Sequence, residues 1–121
     1  IGDSCTLEAI GLGGFAAAAS PAVARQMGGT FADAIARSRE LAAICLCENR
    51  NFLLPALDYA GSPAGIDMLK VLATGMQPLL YGGMIAKTGK RVGVGMARVP
   101  LECFAKAFAA FAAKYRAAGR G

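Results

Sequence analysis

The sequence predicts an α+β fold, several helices packed on a small glycine-rich sheet or hairpin, in a single domain over residues 1–121. Three observations predict it. Apolar residues recur at helical spacing over 31–48 and again over 104–115. An apolar run at 77–86 faces alternating glycines at 92–98 across a basic turn, which reads as a hairpin. Apolar residues make up 55% of the chain and charged residues only 17%, below the roughly 25% of ordinary globular domains. So few charges leave apolar surface that is expected to face another domain or subunit. The chain, opening on Ile1 rather than Met, therefore reads as part of a longer protein.

Each element follows from its residues. Gly11-Leu12-Gly13-Gly14 is a flexible loop that lets backbone approach a ligand or another chain. Ser20-Pro21 starts a short helix with a capping hydroxyl and a proline in the first turn, and Gly28-Gly29 stops it. Thr30 caps a helix over 31–48, with Asp33 and Arg37 as an outer i,i+4 pair worth about 0.2–0.5 kcal/mol. Asn49-Arg50-Asn51 ends it. The proline-interrupted stretch 52–59 reads as an irregular edge strand, and Gly61-Ser62-Pro63 as a turn. Residues 66–74 form a helix stopped by Gly75. Pro100 opens the last helix, where Phe104, Phe108, Phe111 and Tyr115 make one aromatic stripe, read as core.

Several function classes are set aside by the same residues. The net charge of +5 invites a nucleic-acid reading, yet only Lys87-Thr88-Gly89-Lys90-Arg91 is a basic cluster. No zinc-finger spacing or aromatic-basic RNA signature accompanies it, so a small anionic substrate is the expected partner and nucleic acid is not. The longest uncharged run, 9–24, is too short and too rich in glycine and proline to span a membrane. No signal peptide is in view, and a cytoplasmic location is expected. Cys5, Cys45, Cys47 and Cys103 lack C-x-x-C spacing, and the chain has no histidine. Four reduced thiols are expected, with no metal and no cofactor.

Three stretches resemble a known family. They are Glu8-Ala9-Ile10-Gly11-Leu12-Gly13-Gly14-Phe15-Ala16, Gly61-Ser62-Pro63-Ala64-Gly65-Ile66-Asp67 and Arg98-Val99-Pro100-Leu101-Glu102-Cys103-Phe104. In this order, joined by Val71-Leu72-Ala73-Thr74-Gly75, they resemble the C-terminal part of a bacterial family that includes a subunit of oxamate carbamoyltransferase. The resemblance covers about 1–111. It implies that the remaining N-terminal part is supplied by the same protein or a separate chain, with further subunits in a complex. It implies carbamoyl transfer in allantoin breakdown, in which oxalurate and phosphate give oxamate and carbamoyl phosphate. The family pattern carries a histidine in the loop corresponding to 84–91, and this chain does not.

Carbamoyl transfer to phosphate needs anion-binding groups and donors aimed at the oxygen that gains charge. Backbone amides at Gly11, Gly13 and Gly14 are candidate anion donors; the other reading is a tight turn under close packing. Arg98, after the glycine-rich strand, is the candidate guanidinium clamp for phosphate or carboxylate, or else a surface ion pair. Glu8 is the candidate buried carboxylate. Asp67 either caps the helix after it or orients a substrate amide. A competing class is a non-catalytic structural or interaction subunit, and a third is a small-anion-binding regulatory domain.

Overall fold

The computed structural model describes residues 5–118. The α+β expectation holds. Five α-helices surround two separate two-stranded antiparallel sheets. The order is α1 (Cys5–Ala9), α2 (Pro21–Gln26), α3 (Phe31–Ala42), β1 (Cys45–Leu54), β2 (Ala60–Ile66), α4 (Met68–Thr74), β3 (Leu79–Ile85), β4 (Arg91–Arg98) and α5 (Leu101–Ala118). Strand β1 pairs with β2, and β3 with β4.

The capping signals act as read. The Ser20 hydroxyl accepts from the Val23 amide, and Pro21 begins α2. Thr30 and Asp33 form a reciprocal capping box on α3. The Thr30 amide, then its hydroxyl, donates to the Asp33 carboxylate and holds it below its ordinary pKa of 3.8. Asp67 caps α4, its Oδ1 accepting from the amides of Leu69 and Lys70. Gly75 closes that helix at φ 69°, a left-handed conformation that glycine enters without a Cβ clash.

Two expectations are corrected. The helix expected over 31–48 stops at Ala42, and Cys45–Leu54 is a strand. Its partner β2 includes Gly61-Ser62-Pro63, expected to be a turn. Local spacing favoured helix, but the ladder to β2 satisfies the backbone of both segments at once. Such a non-local pairing overrides weak propensity. Pro63, which has no amide to donate, fits a strand with one free edge. The ladder runs from Cys45↔Ile66 to Asn49↔Ser62, skips at the bulge before Leu53, and resumes at Leu53↔Gly61.

Phe15, Leu41, Ile44, Cys45, Val71 and Leu79 form the core, with Leu101 and Phe104 packed partly against it. Full burial of a side chain such as Phe15 contributes about 1.5–3 kcal/mol. A second cluster of Ala17, Ala24 and Ala34 lets α2 and α3 approach closely.

The aromatic stripe of α5 is a third correction. Phe104 is half-buried, but Phe108, Phe111 and Tyr115 are exposed. Among the described residues nothing covers them. Phe111 and Tyr115 pack on each other, with ring centroids 4.5 Å apart.

No helix among the described residues is long and apolar enough to cross a membrane. The side chain of Cys5 lies outside the described ones. Cys45, Cys47 and Cys103 are free thiols. Because they sit on a strand rather than a helix, Cys45 and Cys47 share one face of β1. Burial, and then the neighbouring Cys47, push the Cys45 thiol up to about 11 against the opposing Lys70.

Candidate functional site

The glycine loop 11–14 turns back on α1 and wraps the Glu8 side chain, only 1% exposed. One carboxylate oxygen, Oε1, accepts from the Tyr81 amide at 3.0 Å and from the Gly14 amide at 3.4 Å. It thus ties the loop to β3. A strand amide that would otherwise lack a partner there finds one in this buried acceptor, as buried polar groups require.

Glycine is needed here for a geometric reason. Gly13 has φ +60°, and a Cβ on it would lie 2.1 Å from Glu8 Oε1. A Cβ on Gly14 would lie 2.3 Å from the Leu79 carbonyl oxygen, which is backbone and cannot swing away. Two serines complete the fastening. The Ser62 hydroxyl donates to the Gly11 carbonyl. The Ser38 hydroxyl donates to the Phe15 carbonyl at 2.9 Å and accepts from the Ala18 amide at 3.1 Å.

The loop amides are largely engaged within the chain. Gly11 donates to the Glu8 carbonyl, Leu12 to the Leu7 carbonyl and Gly14 to the Glu8 carboxylate. The tight-turn reading accounts for this loop without a ligand.

Beside it lies a groove of about 440 Å³ between α1, α2 and the hairpin, lined by Leu7, Glu8, Gly13, Tyr81, Gly83 and Val94. Pockets of this size suit small molecules. Arg98 stands opposite Leu79 in the β3–β4 ladder, so it shares a hairpin face with Tyr81 and Val94. Its guanidinium donates to the Gln77 carbonyl at 3.0 Å and meets Glu40 at 3.7 Å, a loose pair whose side chains are both over 40% exposed. Such an exposed pair is weak.

Glu8, Gly13 and Gly14 therefore gather against β3, whereas Arg98 on β4 faces Gln77 and Glu40 and does not line the groove, and Gly11 is held by Ser62 of β2. Asp67 does not join them. It sits at the end of β2, where its amide donates to the Ile44 carbonyl and its carboxylate serves α4.

Arg37, which the sequence pattern places on the outer face of α3, belongs to the same neighbourhood. It is half-buried rather than on the outer face, and donates to the Tyr81 hydroxyl at 3.2 Å. Its spacing from Asp33 suggested a surface pair. Only the packing of α3 on the hairpin turns it inward. A separate cleft of about 420 Å³ between α3 and the first sheet is lined by Arg39, Cys45, Cys47, Glu48 and Asp58. Asp58 and Tyr59 beside it have φ of 52° and 58°, values that non-glycine residues seldom adopt. Among the described residues, no cluster of His, Cys, Asp or Glu could hold a metal ion.

With this geometry in view, the relatives are informative. The chain is similar to an oxamate carbamoyltransferase subunit. That protein, AllG of Escherichia coli (strain K12), is 38% identical over 115 residues, which are 93% of this chain and 27% of AllG. The uncharacterized protein YahG of the same organism is 37% identical over 95% of this chain and 25% of its own. A crystal structure of a conserved protein of unknown function from Enterococcus faecalis V583 matches at TM-score 0.83 and 42% identity, over 93% of this chain and 27% of that one. This chain thus spans about a quarter of the relatives it matches, consistent with a domain of a larger protein. No protein-family model matches it.

Proposed function

We propose that this chain is a domain of a carbamoyltransferase-type enzyme acting on a small ureido acid, such as oxalurate, with phosphate in the cytoplasm. The observation that carries the reading is the 38% identity to AllG over 93% of this chain. In the reaction a phosphate oxygen attacks the ureido carbonyl carbon. The bond from that carbon to the amide nitrogen breaks, the nitrogen gains a proton, and oxamate and carbamoyl phosphate result.

We assign Arg98 to the anionic substrate. Its weak engagement with Glu40 leaves guanidinium donors for a planar two-bond contact with phosphate or carboxylate. Glu8, Gly13 and Gly14 act as the scaffold that fixes β3, the strand paired with the one that carries Arg98, while Gly11 ties the same loop to Ser62 of β2. Asp67 contributes through α4.

The non-catalytic reading, an interaction domain within a complex, is favoured by the internal use of the loop amides.

Phosphorolysis of oxalurate by the complete enzyme tests the proposal. Arg98→Lys keeps the charge and loses the planar fork. Loss of one charge-assisted bond, about 1.5–3 kcal/mol, corresponds to a rise of at least about tenfold in the KM for phosphate. Unchanged kinetics in Arg98→Ala remove Arg98 from the site. A wild-type enzyme inactive on every ureido acid tested removes the transferase reading and leaves the interaction domain.

A further inference from the structure

We propose that the outer faces of α5 and of the β3–β4 hairpin dock the rest of a longer polypeptide, the part that the relatives carry beyond this domain. The proposal does not depend on carbamoyl transfer.

The first observation is the exposed apolar surface of the C-terminal third, where eight of the fourteen exposed large apolar residues of the described chain lie. Phe108, Phe111 and Tyr115 are 40%, 54% and 58% exposed on one stripe of α5. On the hairpin, Met84 is 67% exposed on the face that carries the glycines, and Ile85 and Val92, on the other face beside the turn, are 73% and 63% exposed. Scattered apolar residues are normal on a surface, but a helix stripe and a hairpin left bare together mark an interface.

The second observation concerns the glycines. Gly82, Gly93 and Gly95 alternate onto one face of the hairpin, where Gly82 lies opposite Gly95 and Met84 opposite Gly93. A Cβ on any of the three would meet nothing within 4 Å. The described residues therefore give no packing reason for glycine at these positions. A partner backbone approaching closely would supply one.

The third observation identifies the occupant. This domain matches relatives over nearly all its own length but over only 25–27% of theirs. A domain of this size in such proteins has a large neighbour in the same chain. Charge argues against a second copy. From Leu79 onward the sequence carries Lys87, Lys90, Arg91, Arg98, Lys106, Lys114, Arg116 and Arg120, with Glu102 as the one acidic side chain. Two copies meeting through these faces would set cations against cations, which disfavours the contact. The fitting partner is apolar at its centre and acidic at its rim.

The test mixes this chain with the portion of the Enterococcus faecalis protein that it does not span, and measures binding by sedimentation and titration calorimetry. The expected result is a one-to-one complex. Phe108→Glu and Phe111→Glu should each weaken it about 100-fold, as for central aromatic anchors. Gly95→Val should weaken it about tenfold by blocking close approach. Leu46→Glu, at a position 69% exposed on β1, should leave it unchanged. All four sites are exposed, so circular dichroism of the free variants should match wild type.

A chain that stays free in the mixture overturns the proposal. So does a complex indifferent to Phe108, Phe111 and Gly95. Self-association broken by the phenylalanine variants would replace it with a homodimer. Capture by phosphatidylserine vesicles, with no binding to the polypeptide, would replace it with a membrane surface.

Discussion

Replacing Gly13 with alanine should damage the fold through Glu8, and a double-mutant cycle can read that route. The new Cβ has two costs. At φ +60° an alanine carries left-handed strain, about 1–2 kcal/mol. It would also stand 2.1 Å from Glu8 Oε1 and 2.6 Å from Cδ, so the buried carboxylate must leave. Its departure breaks the 3.0 Å bond from the Tyr81 amide and the longer one from Gly14. A bond to a charged group contributes about 1.5–3 kcal/mol, and the 3.4 Å contact adds little. The expected loss for Gly13→Ala is therefore about 3–5 kcal/mol, a large share of a small domain's stability. Glu8→Ala removes the same acceptor and should cost about 2–4 kcal/mol. In Glu8→Ala the obstacle to the Gly13 Cβ is gone, so Gly13→Ala should then cost only the strain of about 1–2 kcal/mol. The cycle should show a coupling of about 1.5–3 kcal/mol, measured by urea unfolding followed by circular dichroism. Additivity within about 0.5 kcal/mol would refute the claim that Gly13 is glycine because of Glu8.

The remaining predictions concern ionisation. With its thiol raised from 9.0 to about 11, Cys45 stays neutral and should alkylate more slowly at pH 8 than the exposed Cys47 and Cys103, as read by mass spectrometry after iodoacetamide treatment. The unfolded chain ionises first, so the native state binds more protons above pH 9. Stability should therefore fall as pH rises from 9.0 to about 11, and Cys45→Ala should flatten that slope in urea titrations. Asp33 has the opposite sign. Its depressed pKa contributes stability above the ordinary value of 3.8, lost as pH falls through the lowered one. Thr30→Ala removes the hydroxyl but not the backbone donor, so carboxyl NMR titration should show the Asp33 pKa returning part-way upward.

Local chemistry made the ends of α2, α3 and α4 and the hairpin legible. Ser20-Pro21, Thr30 with Asp33, Asp67 and Gly75 act within a few residues of themselves, so short spacing is enough to read them. The burial of Glu8 matches the expectation but not through its apolar neighbours: Leu7 and Ile10 are exposed, and the glycine loop and β3 cover the carboxylate. What lies across the fold was not legible. Residues 45–54 carry no strong strand pattern, and they become β1 because β2 supplies the matching ladder. Arg37 turns inward only because Tyr81 waits 44 residues away. The Glu8 carboxylate reaches an amide 73 residues on. The aromatic stripe of α5 shows the same division most clearly. Its periodicity is a local property and specified an amphipathic helix. Whether that stripe is covered depends on what packs against it, and these residues of the chain leave Phe108, Phe111 and Tyr115 in solvent.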